Sequence, residues 1–159
     1  MKTLIAYASK YGCTEKYARS IKERLGGEVD LLDLKASTKI GVNPYQRVII
    51  GGSIYIGKIQ KEVLSFCNQN EDVLCEKELG VFICGMQDKK GLAQELHDNF
   101  SEKLLRTAKS KHYFGGELNL DRASFLDKLI MKKIAQAATF EPVAFGENLD
   151  PFIQEMNGN

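Results

Sequence analysis

A chain of 159 residues with 43% hydrophobic and 27% charged side chains has enough apolar material for one compact core and too much for a disordered or fibrous segment. Its formal net charge of +1, from 22 Lys plus Arg against 21 Asp plus Glu, gives no global attraction to nucleic acid. The four cysteines, Cys13, Cys67, Cys75 and Cys84, lack the close pairing of a metal knuckle or a disulfide framework, so free thiols in a reducing cytoplasm are expected.

The N-terminal Met1-Lys2-Thr3 runs straight into Leu4-Ile5-Ala6-Tyr7, a short apolar run of the kind found in strands buried on both faces. No apolar stretch is long enough for a leader or a spanning helix. The period changes after the loop Ser9-Lys10-Tyr11-Gly12-Cys13-Thr14. Tyr17, Ala18, Ile21 and Leu25 then recur at helical spacing, with charged residues between them. Thr14 is the expected N-cap and Gly26-Gly27 the expected stop. A loop rich in hydroxyls and glycine that leaves a strand and opens a helix is an anion cradle. Its unpaired N–H groups and the positive helix end point the same way.

Glu28–Leu34 reads as a second strand whose alternation suits a sheet edge. Lys35 to Ile40 has one or two helical turns at most. Arg47–Gly52, rich in β-branched residues, is the third strand, followed by a loop over 53–58 and a helix over about 60–70. The fourth strand runs from Glu78 or Leu79 to Cys84. Leu92, Leu96, Phe100, Leu104 and Ala108 then recur every four residues and predict one long helix. His112–Gly116 is the fifth strand. Five alternations of strand and helix predict an open parallel sheet covered on both faces, a three-layer α/β/α sandwich in one domain over 1–159. Ligands of such sheets lie beyond the strands' carboxyl ends, where the turns at 9–14, 53–58 and 85–90 converge.

Residues 102–133 carry eight basic and four acidic side chains. Within a basic amphipathic segment over about 118–140, Phe125, Leu126, Leu129, Ile130, Ile134 and Ala137 share one side, and Lys128, Lys132 and Lys133 lie off it. Two readings remain open: a core helix with a solvated basic face, or a surface over 124–137 that docks on an anionic membrane or an acidic partner. Asn148 to Met156 reads as the start of a last short helix, with Asp150 as the expected N-cap and Pro151 in the first turn. His97 and His112 are read as surface or packing residues.

The Ser9-x-x-Gly12-x-Thr14 loop directly after the first strand resembles the FMN-phosphate loop of the flavodoxins. Val48–Gly57 and Phe125–Ile134 are similar to segments of the menaquinone-dependent protoporphyrinogen oxidase branch of that superfamily. The resemblance implies a flavodoxin-like five-stranded parallel sheet of order 2-1-3-4-5 and FMN as a non-covalent cofactor. It places Ser9, Lys10, Tyr11, Gly12, Cys13 and Thr14 around the phosphate. Ser53, Ile54, Tyr55, Ile56 and Gly57 fall on one side of the flavin ring, and Cys84, Gly85, Met86 and Gln87 on the other. Tyr11 and Tyr55 are either flavin neighbours or core residues, Met86 either touches the ring or fills a gap, and Cys84 is either redox-active or inert packing.

The expected function is FMN-dependent electron transfer. Either the protein is an oxidoreductase acting on a tetrapyrrole with a quinone acceptor, peripheral at the inner face of the membrane, or it is a flavodoxin-type carrier docking on a redox protein. A flavin-free scaffold is the third reading. The chain lacks Trp, and Lys58, Lys89 and Lys90 outnumber Asp88 in the ring loops, which predicts a less negative potential than that of a common flavodoxin. Two other motifs are set aside. Cys13 and Arg19-Ser20 spell a phosphatase signature, but good helix sequence between them puts Arg19 nearly two turns from the thiol. A response regulator needs acids at the ends of the first and third strands, where this chain has Ala8-Ser9 and Gly52-Ser53.

Overall fold

The computed structural model describes residues 1–158 other than 38, 118–120, 122, 138–140 and 142, and leaves out the side chains at 134, 135 and 137. The ends of the segment read at 118–140, Arg122 and the apolar assignments of Ile134 and Ala137 therefore lie outside the described residues. So does Thr38.

The elements in chain order are β1 (Lys2–Tyr7), α1 (Cys13–Arg24), β2 (Glu28–Asp33), β3 (Arg47–Ser53), α2 (Lys61–Cys75), β4 (Glu78–Gly85), α3 (Lys89–Asn99), α4 (Glu102–Thr107), β5 (Ser110–Gly115), α5 (Phe125–Ala137) and α6 (Leu149–Asn157). The strands form one sheet of order β2-β1-β3-β4-β5, parallel throughout, with Tyr7 beside Gly51, Ser53 beside Cys84 and Gly85 beside Gly115. This is the predicted 2-1-3-4-5 topology. The strand order reverses at β1 and β3, so the loops that follow these two strands flank a crevice.

Alternation along each strand sends successive side chains to opposite faces. Leu4, Ala6, Val48, Ile50, Val81 and Ile83 pack beneath α2, α3 and α4, against Val63, Phe66, Leu92, Leu96 and Leu104. Ile5, Tyr7, Ile49, Phe82 and Phe114 pack beneath α1 and α6, against Tyr17, Ile21, Phe152 and Met156. In the second layer Phe82 stacks on Phe114 at 5.0 Å and meets Phe152 edge-on. The Phe82 ring fills the space over β3 so fully that a Cβ on Gly51 would come within 2.1 Å of it. Glycine there makes room for an aromatic core.

Several boundaries differ from the sequence reading. The N-cap of α1 is Gly12 rather than Thr14, because a left-handed residue turns the chain into the helix two positions earlier. The turn at 34–36 goes no further than that, and α2 continues to Cys75 instead of ending near Asn70. The long helix after β4 is two helices. Phe100 is extended, and Ser101 starts α4 by accepting a hydrogen bond from Leu104 N. The four-residue period survives the break because both helices turn the same face to the sheet. Asn148, not Asp150, precedes α6. Three apolar residues of α5 stand outside the core: Phe125, Leu126 and Leu129 are 79%, 66% and 46% exposed, while Ile130 is half-buried. No helix among the described residues is long and apolar enough to cross a membrane.

Candidate functional site

A cleft opens over the carboxyl ends of β1, β3 and β4. From the sequence-predicted residues it gathers Ser9, Lys10, Tyr11 and Cys13, then Ser53, Ile54 and Tyr55, then Cys84, Gly85 and Met86. Gly116, Glu117 and Met131 complete the lining. Gly12, Thr14, Ile56, Gly57 and Gln87 do not line it.

The first loop is shaped to present donors. Gly12 sits at φ 93°, and its N–H is accepted by Ser9 Oγ at 2.9 Å, which leaves the Ser9 hydroxyl proton free to donate outward. Among the described residues nothing accepts from the amides of Lys10, Tyr11, Cys13 or Thr14, and α1 has no side-chain cap. An uncapped helix start with this many unspent N–H groups is a site for an anion. Thr14 departs from its expected role: it is fully buried, and its hydroxyl donates to Cys84 Sγ at 3.7 Å. The Tyr11 hydroxyl is buried without a hydrogen-bond partner in the cleft wall. A polar ligand in the cleft would supply one.

The second loop is a tight turn. Tyr55 and Lys58 exchange backbone hydrogen bonds at 2.9 and 3.1 Å, with Ile56 and Gly57 both at positive φ. The turn is fastened from behind. Gln60 takes the Ser53 N–H at 3.1 Å and donates to the Ser53 hydroxyl. Asn99 accepts from Ile59 N at 3.0 Å and donates to Gly57 O at 3.1 Å. Asn99 escaped sequence reasoning because it ends a helix 40 residues away.

In the third loop Asp88 is occupied as the cap of α3, accepting from Gly91 N at 2.8 Å, and Lys89 is paired with Glu147 at 2.8 Å. Gln87 O accepts from Val143 N at 3.2 Å. Gly116 N donates to Gly85 O at 2.7 Å, which ties the end of β5 to this loop. Burial pushes the Cys84 thiol well up and favours the inert form. The neighbouring Cys84 S–H lowers Cys13.

Charge at the cleft differs from the sequence count. Asp127 of α5 reaches in and accepts from the Tyr55 hydroxyl at 2.6 Å, with Lys10 Nζ at 3.7 Å from its other oxygen. Lys10 Nζ also lies 3.1 Å from the centre of the Tyr55 ring. Asp127 is held down to about 2, chiefly by the Tyr55 hydroxyl. Burial, and then the Asp127 carboxylate, raise Tyr11. Glu117 is paired with Lys16 at 2.5 Å. Two acids thus stand where the sequence placed none, each beside a lysine of its own, Lys10 for Asp127 and Lys16 for Glu117. Of the missed residues, Gly116 and Glu117 were signalled by their place just after a strand of this edge. Asp127 carried no such signal. No cluster of metal-ligating side chains occurs among the described residues.

A doubly wound α/β protein with an anion-binding first loop at its switch point is the class these features define. The sequence pattern of the flavodoxin domain matches residues 4–142, and the chain belongs to that family, whose members hold FMN and transfer electrons. No curated protein matches the chain. Among solved structures it is similar to oxidised flavodoxin 2 of Bacillus cereus, with 26% identity, a TM-score of 0.57, and 84% of this chain and 99% of that one covered. Oxidised flavodoxin 1 of the same organism has 17% identity and a TM-score of 0.52, over 87% of this chain and 100% of that one. Rubredoxin oxygen:oxidoreductase of Desulfovibrio gigas has 21% identity and a TM-score of 0.54, over 85% of this chain. The chain spans only 34% of that protein's length.

Proposed function

We propose that the protein binds FMN in this cleft and acts as an electron carrier for a protein partner. The observation that carries the reading is the set of unspent amides from Lys10 to Thr14 at the uncapped start of α1, which matches a phosphate in charge and in donor geometry. Ser9 adds a hydroxyl. Tyr55 and the 84–86 backbone would flank the ring, and the 53–58 turn, braced by Gln60 and Asn99, would hold its wall without reorganising. When bound, the flavin supplies the electron chemistry, and the chain supplies position and electrostatics. The four free cysteines fit a reducing compartment, and we place the protein in the cytoplasm.

A second reading, an oxidoreductase acting on a quinone or tetrapyrrole at the membrane's inner face, is favoured by one observation. Phe125, Leu126 and Leu129 stand in solvent beside exposed Lys128, Lys132 and Lys133, a combination suited to an anionic surface. The visible spectrum of the purified protein, with extraction and identification of the bound group, tests the cofactor. A yellow protein releasing FMN is expected, and a colourless one that cannot be reconstituted overturns both readings. Turnover then separates them: oxidation of an organic donor with a quinone, and sedimentation with anionic vesicles, would replace the carrier by the enzyme.

A further inference from the structure

We propose that Asp127 is a positioning residue of the flavin site, its carboxylate clasping Lys10 of the first loop to Tyr55 of the second and thereby fixing α5 as a wall of the cleft. The inference rests on the FMN reading above for its ligand, and on the geometry alone for the clasp.

Two groups converge on one carboxylate, and they also touch each other. Tyr55 Oη donates to Oδ1 at 2.6 Å, Lys10 Nζ stands 3.7 Å from Oδ2, and the same ammonium lies 3.1 Å from the Tyr55 ring centre. The carboxylate is itself aimed by its own helix start, where Ser124 Oγ accepts from Asp127 N at 3.1 Å and Ser124 O from Lys128 N at 2.9 Å. Hydrogen bonds to an ionised partner are stronger than neutral ones, and the Asp127 and Lys10 side chains are only 20% and 30% exposed, so this contact is sheltered more than an ordinary surface pair.

The clasp matters because, among the described residues, the first turns of α5 leave most of their apolar surface in solvent. Its apolar residues Phe125, Leu126 and Leu129 are in solvent, while Met131 lines the cleft. Lys10 belongs to the end of the cleft where a phosphate would sit, and Tyr55 to the end where a ring would lie. One carboxylate therefore sets the spacing of the two ends and closes the side between them. Release of the cofactor past this side requires the clasp to open, so its strength sets the residence time of FMN.

The test uses the full chain with and without FMN, comparing wild type with Asp127→Asn, Asp127→Glu, Tyr55→Phe and the double variant Tyr55→Phe/Asp127→Asn. FMN release is followed by recovery of flavin fluorescence on dilution. Opening of α5 in the FMN-free chain is followed by tryptic cleavage after Lys128, Lys132 and Lys133. Loss of one charge-assisted hydrogen bond predicts that Asp127→Asn speeds both processes about tenfold. Asp127→Glu should stay nearer wild type, and the double variant should be no worse than the worse single one, as expected for residues acting through each other. Release and cleavage of Asp127→Asn within about twofold of wild type, or additive effects in the double variant, overturn the proposal. Tyr55→Phe keeps the ring and gives the same readouts if Asp127→Asn does not fold. Failure of wild type to bind FMN overturns the cofactor reading, and the clasp then stands or falls on cleavage of the FMN-free chain.

Discussion

The loop at 9–14 grows from β1, whose Leu4, Ile5 and Ala6 are fully buried, and runs into α1, whose Tyr17, Ala18 and Ile21 are buried as well. Across the cleft, α5 keeps Phe125, Leu126 and Leu129 in solvent and is fastened through Asp127. The two sides of one site are thus held by different physics. The first is fixed by packing, which is cooperative with the whole fold and insensitive to salt. The second is fixed by a few polar groups, which yield locally and respond to charge. A cofactor site built this way keeps its anion end constant while the far side is free to open.

Removing core support should separate the two sides most clearly. Phe82→Ala deletes the ring wedged between Phe114, Phe152 and Gly51 and should cost about 4 kcal/mol in urea unfolding. α5 should be cleaved by trypsin no faster than in wild type under conditions where the fold persists. Accelerated cleavage there would show that α5 shares the core's cooperativity. Next in size is Tyr17→Phe. The Tyr17 hydroxyl donates to Gly115 O at 2.7 Å and accepts from Gly146 N at 2.8 Å, so its loss strands a buried carbonyl and a half-buried N–H. The expected cost is about 2 kcal/mol, and a loss below about half a kcal/mol would mean that water replaces the hydroxyl.

Gly12→Ala forces a Cβ into a left-handed residue and should cost about 1 kcal/mol. It should also weaken FMN binding, because the loop is the anion end of the cleft. Unchanged affinity would move the phosphate elsewhere. The smallest effect is expected from pH. Asp127 is held at about 2 in the fold, below the usual value of about 3.9 for a free aspartate. Its contribution is therefore complete above about pH 4 and lost as the pH falls toward about 2. Protection of the α5 amides from hydrogen exchange should be flat from about pH 7 to about pH 5 and fall only below about pH 4, with no such step in Asp127→Asn. Loosening between about pH 7 and about pH 5 would assign the control of α5 to another group.

What the sequence made legible follows from how local each signal is. The parallel sheet and its two helical layers were legible in the apolar runs of β1 and β3 and the apolar stripe of α1, which short-range patterns encode directly, whereas the sheet order was implied by the resemblance of the 9–14 and 48–57 segments. The break between α3 and α4 was invisible because Phe100 keeps the four-residue period while its backbone turns extended. Ten of the fifteen expected site residues came together in the cleft, since strand ends fix where loops meet. Thr14 was expected to offer its hydroxyl, but the left-handed Gly12 starts the helix two residues early and Thr14 is buried. Asn99, Glu117 and Asp127 were missed because each acts across the fold. Nothing in the neighbourhood of Asp127 distinguishes it from any acid on a solvated helix. The apolar stripe of α5 was read as core or docking surface, and its first three residues, Phe125, Leu126 and Leu129, stand outside the core.

The bare beginning of α1 has a consequence for how much folded protein a cell contains. Most helices spend a Ser, Thr, Asp or Asn side chain on their first turn, and this one spends none. With FMN bound as proposed, the missing cap is supplied from outside, and part of the folding free energy belongs to a dissociable small molecule. By mass action, free FMN at about 100 times its dissociation constant adds about 2.7 kcal/mol to the stability of the chain. The abundance of the protein then follows the cell's flavin supply, and scarcity removes the carrier through turnover of the unfolded chain before any redox partner is involved.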